Sequence, residues 1–272
     1  MDPFAGILLL GRLYVGEAEI PRTAYAGIDS RSLLTALRQS TLDAIARLFE
    51  SLDYSSLGAI YCDDGGKAFW EERRGPAQEL GIQLAEVLMG RLAPKGRSLY
   101  VGAGVAELPA LIMETLELDR EVRAFNLRAP EVTLLNHACR GLPFRFQAAD
   151  ARAAQGDVDH LCIVSVLNDP ECFPELAALS SGRANPVTFD PDAFAMERRA
   201  VAALAAGCLE KLHRPGLVTT SVDEIPWITD WCARQGFACT VEDEDYPTAI
   251  VGDPICLIRI GDAAAFPSNR PD

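Results

Sequence analysis

Two stretches near the N-terminus repeat apolar residues with the period of an α-helix. Between residues 31 and 52, leucine, isoleucine and phenylalanine alternate with arginine, glutamine and acidic residues, as in an amphipathic helix. Residues 77–92 show the same period, and Pro94 with Gly96 would end that helix. Residues 61–66 are typical of a turn, whereas the apolar runs before residue 31 fit a strand or a helix equally. Residues 1–95 are therefore predicted to form an N-terminal helical addition.

From residue 97 onward, short β-rich runs alternate with helical stretches. The predicted strands are 98–101, 121–125, 144–148, 160–166, 217–221, 238–241 and 255–260, and the predicted helices are 107–116, 131–139, 191–212 and 225–235. This alternation is typical of an α/β domain in which helices flank a parallel sheet. The sequence thus predicts a seven-stranded domain over residues 96–262, followed by a loose tail at 263–272.

Composition and charge narrow the class of protein. The 272 residues include 25 Lys or Arg and 39 Asp or Glu, for a formal net charge of −14, which disfavours nucleic acid as a partner. Hydrophobic residues make up 49% and charged residues 24%, as in folded globular proteins. The longest apolar stretch near the N-terminus, 4–10, is far shorter than the roughly 20 residues of a membrane helix, so no membrane association is expected.

The eight cysteines are scattered along the chain. None forms a Cys-x-x-Cys pair or a short cluster with histidine, so no metal site is predicted. Several lie inside apolar runs, where a thiol packs as a small hydrophobic group. This usage fits a reducing cytoplasm. The oligomeric state is left open by the sequence.

The strongest chemical signal is a glycine turn between a strand and a helix. Residues 99–108 read Leu-Tyr-Val-Gly-Ala-Gly-Val-Ala-Glu-Leu, so that Gly102 and Gly104 follow a predicted strand. Glycine lets the main chain approach a ligand closely, and free amides at the next helix can face polar groups of that ligand. The same turn could also occur without a ligand. A dinucleotide site is disfavoured, because the fingerprint requires a glycine where this chain has Glu107.

The turn resembles the first motif of class I S-adenosylmethionine-dependent methyltransferases, in which an acidic residue precedes x-G-x-G-x-G. Gly102, Ala103 and Gly104 match the centre of that motif, and the resemblance extends over about residues 80–260. It implies a Rossmann-like, doubly wound, mostly parallel seven-stranded sheet that ends in an antiparallel hairpin. It also implies S-adenosyl-L-methionine as cofactor and methyl transfer as the activity, with a small molecule as the expected acceptor.

The resemblance assigns further cofactor-binding residues by position. At the end of the second strand, Asn126 would hold the ribose hydroxyls, with Leu127 beside it. After the third strand, Asp150 would accept from the adenine amino group, with Ala151 next to it. Ser165 lies in the fourth strand, whose carboxyl end flanks the transferred methyl group in this family.

The acceptor side is less well marked. Asn168 and Asp169 follow the fourth strand and are weak candidates for catalytic residues. With Pro170 they resemble the Asn-Pro-Pro-aromatic motif of amino-methylating DNA enzymes only superficially, because Asp169 and Glu171 depart from it. The three histidines have simpler structural explanations. Trp70 is a candidate lid residue, although a tryptophan at a domain junction more often serves packing.

Three departures from the family pattern concern the cofactor site. Tyr100 replaces the acidic residue before the glycines, Ala106 replaces the third glycine, and Asn126 replaces the usual ribose acid. Each lost charge-assisted hydrogen bond is worth about 1.5–3 kcal/mol. An alternative is therefore a methyltransferase-like protein that has lost catalysis and serves as a binding or scaffold protein.

Overall fold

The computed structural model describes residues 36–61, 66–180, 182–250 and 252–261. The expectations for residues 1–35, for the turn at 62–65 and for the tail at 263–272 lie outside the described residues. The strands are β1 Arg97–Val101, β2 Glu121–Phe125, β3 Phe146–Gln147, β4 Val158–Ile163, β5 Leu212–Ser221, β6 Ala238–Tyr246 and β7 Ile255–Gly261. The helices are α1 Gln39–Ser51, α2 Tyr54–Tyr61, α3 Gly66–Met89, α4 Leu108–Leu116, α5 Ala129–Ala138, α6 Pro174–Ser180, α7 Pro191–Leu209 and α8 Ile225–Gln235.

All seven strands form one sheet in the order β3-β2-β1-β4-β5-β7-β6. Strands β1 to β5 are parallel, whereas β7 is antiparallel to both β5 and β6. The chain starts at β1, winds outward to β3, and then returns to place β4 on the other side of β1. This topology confirms the predicted fold class, a doubly wound sheet with an antiparallel C-terminal hairpin.

Alternation along the strands creates a core on each face of the sheet. In β1, Leu99 and Val101 belong to the core beneath α7 and α8, whereas Tyr100 belongs to the core beneath α4. A strand buried on both faces tends to be apolar along its length, and the last three residues of β1 and of β4 are, whereas Ser98 and His160 near their starts are buried polar residues. Helices α1, α2 and α3 contribute to the same core as α4, so the N-terminal addition packs directly on the sheet domain.

Several boundaries differ from the sequence prediction. Helix α1 begins at Gln39 rather than near residue 31, and Arg38 before it is extended and donates its amide to Glu117 Oε1 at 2.8 Å. Helix α3 extends back to Gly66 and includes Pro76. Strand β5 begins at Leu212, where the predicted helix 191–212 would end, five residues before the predicted strand 217–221. Helices α2 and α6 were not predicted.

Candidate functional site

The carboxyl ends of β1, β2 and β4 meet where the winding of the sheet reverses. In open α/β sheets, ligands bind at this switch point. Gly102 follows β1 with φ +69°, and it is exposed. A Cβ at this position would lie 2.6 Å from Val166 Cγ2, so both the backbone conformation and the neighbouring loop require glycine.

The second glycine of the turn contacts carboxylates of the chain itself. Gly104 donates its amide to Glu107 Oε2 at 2.7 Å, and a Cβ on Gly104 would lie 3.1 Å from Glu131 Oε1. Burial raises the pKa of Glu107 and of Glu131 above the usual range of glutamate, although their hydrogen bonds partly offset this effect. The space next to the Cα of Gly104 is therefore occupied by the side chain of Glu131.

Asn126 lies at the end of β2, as predicted, but its amide is bonded within the protein. Its Nδ2 donates to the carbonyl oxygen of Ala103 at 2.9 Å and to Glu131 Oε2 at 3.1 Å. Its Oδ1 accepts from the amide of Arg128 at 2.8 Å. Ala103 is buried, and its own amide donates to the carbonyl of Phe125 at 2.9 Å. The role of Asn126 toward a ribose stays a prediction.

Two other predicted residues remain accessible. Leu127, immediately after Asn126, is 71% exposed. The side chain of Asp150 is 41% exposed and pairs with Arg152, whose Nη2 lies 2.5 Å from Asp150 Oδ2. The hydrogen bond from Arg152 lowers the pKa of Asp150, and the positive charge of Arg152 adds to that effect. Ala151 is buried in the short turn that Asp150 caps.

The loop after β4 carries the remaining predicted residues. The prediction that Ser165 lies in the fourth strand is wrong, because β4 ends at Ile163. Ser165 adopts φ +54°, which is uncommon for a residue with a Cβ, and its buried hydroxyl has no hydrogen-bond partner among the described residues. Burial raises the pKa of Asp253 overall, and the side chain of Asn168, which lies near that carboxyl, opposes the shift. Asp169 Oδ1 accepts the amide of Glu171 at 2.9 Å, so it stabilises the local turn.

A cluster that the sequence did not reveal joins the N-terminal addition to this edge. Tyr61, the last residue of α2, donates its hydroxyl to Glu131 Oε1 at 2.5 Å. The guanidinium of Arg128 lies over the Tyr61 ring at 5.3 Å and pairs with Glu171 at 2.7 Å. Because Arg128 follows β2 and Glu171 follows β4, this ion pair connects the two strands that flank β1. No local sequence signal marks these contacts.

Tyr100 faces away from the glycine turn, into the core beneath α4. Its hydroxyl donates to Glu114 Oε1 at 2.7 Å, and its ring meets His160 edge-on at 5.6 Å between centroids. Glu114 also binds Arg120 Nε at 2.9 Å and His160 Nδ1 at 3.0 Å, and all of these side chains are buried. Tyr100 is thus part of a buried polar network, which also includes Ser98, Asp159 and Thr219.

Metal ligation and membrane insertion find no support in the part of the chain that the structure describes. Its histidine, cysteine and acidic side chains form no group of three or more that could hold a metal ion. Over the same residues, no helix combines the length and the apolar character needed to cross a membrane.

Comparison with known proteins gives likeness in architecture only. No protein-family model matches the sequence, and no curated protein matches it either. Among solved structures, magnesium protoporphyrin IX methyltransferase from Synechocystis, crystallised with bound SAM, is 13% identical, with a TM-score of 0.46 over 83% of this chain and 99% of that chain.

A methyltransferase from Pyrococcus furiosus is 11% identical over 67% of this chain and 83% of that chain, with a TM-score of 0.44. A SAM-dependent O-methyltransferase from Thermotoga maritima is 12% identical over 70% of this chain and 67% of that chain, with a TM-score of 0.42. These similarities concern the arrangement of helices and strands only. The strand order observed in this chain is itself that of a seven-stranded, doubly wound sheet with an antiparallel C-terminal hairpin.

Proposed function

We propose that this protein binds S-adenosyl-L-methionine at the carboxyl edge of β1, β2 and β3 and transfers its methyl group to a small-molecule acceptor. The observation that carries the proposal is one juxtaposition at this edge. Exposed main chain at Gly102, the exposed apolar side chain of Leu127 and the half-exposed carboxylate of Asp150 all follow neighbouring strands. Main chain, an apolar surface and one acceptor of hydrogen bonds together suit an adenine nucleoside.

The side chains fit such a ligand in part. Leu127 would pack against the purine, and Asp150 would accept from its amino group after releasing Arg152. The unpaired hydroxyl of Ser165 supports a polar ligand at the end of β4, since a buried hydroxyl without a partner is costly. When bound, the cofactor supplies an electrophilic methyl group on its sulfonium.

The contribution of the chain to methyl transfer would be alignment and the exclusion of water. Holding two reactants in line can supply roughly 7–11 kcal/mol of the barrier reduction. The Arg128–Glu171 pair and Tyr61 connect elements on both sides of β1, and we propose that they exclude water from the end of that strand. Asn168 and Asp169 follow β4 and are proposed to border the acceptor. A small-molecule acceptor is favoured because a net charge of −14 opposes binding to phosphate backbones.

A second candidate function is a binding or scaffold role without catalysis. It is favoured by the hydrogen bonds within the chain, because Asn126 has three partners and the amide of Gly104 is already bonded to Glu107. For either function we propose a reducing compartment such as the cytoplasm, since the seven described cysteines are free thiols.

Isothermal titration with S-adenosylhomocysteine tests the proposal. Methyltransferase function predicts saturable heat with the native protein and weaker binding by the Asp150→Ala variant. An Arg152→Gln variant is the matched control, because it frees Asp150 and should bind at least as tightly as the native protein. Absence of heat and of a thermal shift at millimolar ligand would refute cofactor binding and leave the scaffold role.

A further inference from the structure

Three successive amides after β4 converge on one carboxylate. The amides of Ser165, Val166 and Leu167 donate to Glu224 at 3.0, 2.6 and 2.5 Å. Such a run of amides forms a concave site for an anion. In this protein the anion is the carboxylate of Glu224, which lies three residues after the end of β5 and 57 to 59 residues along the chain from these amides.

Two further donors complete the coordination of Glu224. The hydroxyl of Thr220 lies 3.0 Å and the amide of Ser221 3.2 Å from its Oε2. Glu224 is fully buried. Burial raises the pKa of this carboxyl, and the surrounding donors oppose that shift. Five donors and a buried position mean that the carboxylate cannot be removed without leaving amides unpaired.

The loop held by Glu224 reaches the glycine turn. Ser165, whose amide donates to Glu224, adopts φ +54°. The next residue, Val166, packs so close to Gly102 that a Cβ on Gly102 would lie 2.6 Å from Val166 Cγ2. Val166 can therefore take this position only because residue 102 is a glycine. A shift of the loop after β4 would alter the contact with the turn after β1.

We propose that Glu224 is a positioning residue for the candidate cofactor site. Its carboxylate fixes the loop at Ser165–Leu167, and through Val166 it holds the turn at Gly102 in register with that loop. Glu224 itself touches no ligand; it acts through the amides that it binds. The inference rests on the proposed function for its ligand, but the coupling of the two loops can be measured without any ligand.

The test compares Glu224→Gln with a matched control. Glutamine keeps the shape of the side chain but replaces one acceptor oxygen by an amide group that cannot accept from an N–H. The control is Glu197→Gln, because the carboxylate of Glu197 also accepts two backbone amides, those of Glu175 and Leu176, at 3.3 and 2.8 Å. Among the residues that the structure describes, Glu197 forms no hydrogen bond or ion pair with those proposed for the cofactor site.

Hydrogen exchange measured by NMR on the free protein is the first readout. In Glu224→Gln, exchange should accelerate at least tenfold at residues 165–167, and the amide signals of Gly102 and Ala103 should shift. In Glu197→Gln both regions should match the native protein. Faster exchange at 165–167 with unchanged signals at Gly102 and Ala103 would overturn the coupling, as would unchanged exchange at all of these residues.

Titration with S-adenosylhomocysteine is the second readout. Glu224→Gln should bind about tenfold more weakly than the native protein, because losing one hydrogen bond to a charged group lowers the population of the binding-competent loop by about that factor. Glu197→Gln should bind as the native protein does. Equal loss in both variants would show general destabilisation and contradict the proposal. Absence of binding by the native protein would refute the proposed function, and hydrogen exchange would then decide the role of Glu224 alone.

Discussion

Replacing Glu114 by glutamine is expected to destabilise the protein strongly, because Glu114 is the anion at the centre of the buried network below β1. Its carboxylate binds Arg120 Nε at 2.9 Å, Tyr100 OH at 2.7 Å and His160 Nδ1 at 3.0 Å. The side chains of Glu114 and Arg120 are both 0% exposed, so water cannot replace a lost partner. Burial alone would raise the pKa of Glu114, but His160, Arg120 and Ser98 together outweigh it and lower the pKa to about 2.

The magnitude follows from the burial of both charges. Removing one partner of a buried ion pair costs about 3–5 kcal/mol, because the other charge is left uncompensated. Arg120 retains Asp159 as a second partner, which places the expected loss near the lower end of that range. The depressed pKa also has a pH consequence. Stability from Glu114 is complete above its unfolded-state pKa, about 4.3, and is lost as the pH falls toward 2.

Urea unfolding at pH 7 measures the difference directly. Asp230→Asn is the control, because Asp230 pairs with Arg234 on α8, their side chains are 59% and 58% exposed, and such a pair is worth about 0–1 kcal/mol. If Glu114→Gln does not fold, Tyr100→Phe gives a graded version with an expected loss of about 1–2 kcal/mol. A loss below about 1 kcal/mol for Glu114→Gln would contradict the reasoning that the buried charges depend on each other.

Three further predictions concern the glycine turn, Asp150 and Tyr100. Gly102→Ala should lower the free energy of unfolding by more than the roughly 1–2 kcal/mol of its left-handed backbone, since its Cβ would lie 2.6 Å from Val166 Cγ2. Gly236→Ala is the control, because Gly236 has a similar φ of +74° and no atom within 4 Å of a Cβ, so it should show the backbone effect alone. Urea unfolding compares the two variants, and equal losses would contradict the contact with Val166. Asp150→Asn should weaken S-adenosylhomocysteine binding about tenfold or more, from one lost charge-assisted hydrogen bond, and unchanged affinity by calorimetry would remove Asp150 from the site. Tyr100→Phe should leave that affinity within about twofold of the native value, because the phenol binds Glu114 in the core rather than a ligand; a large loss would place Tyr100 at the cofactor.

Local patterns predicted the sheet better than the smaller elements. Strand β2 and helix α8 have the predicted bounds, because each has a clear period and flanking turn or capping residues. Helices α2 and α6 have only eight and seven residues, too few for a reliable period, and they depend on packing against their neighbours. The Pro-Gly segment before Leu217 resembles a turn locally, yet it is part of β5 because pairing with β4 begins at Leu212.

The candidate site was predictable only where chain order fixes position. Gly102, Asn126 and Asp150 each follow a strand, so their meeting at one edge follows from the parallel topology. The partners of these residues could not be derived in that way. Tyr61 and Glu131 are 70 residues apart, and Arg128 and Glu171 are 43 apart, so no local pattern relates them. Such contacts depend on how the helical addition packs on the sheet.

Cofactor binding requires that a nucleoside lies against the carboxyl edge of β1, β2 and β3. A crystal structure of the protein grown with saturating S-adenosylhomocysteine tests this claim most directly. We expect electron density for the purine between Leu127 and Asp150, with the sugar next to Gly102 and the Asp150–Arg152 pair opened. Density absent from this edge, with that pair and the Tyr61–Glu131 hydrogen bond intact, would contradict the claim.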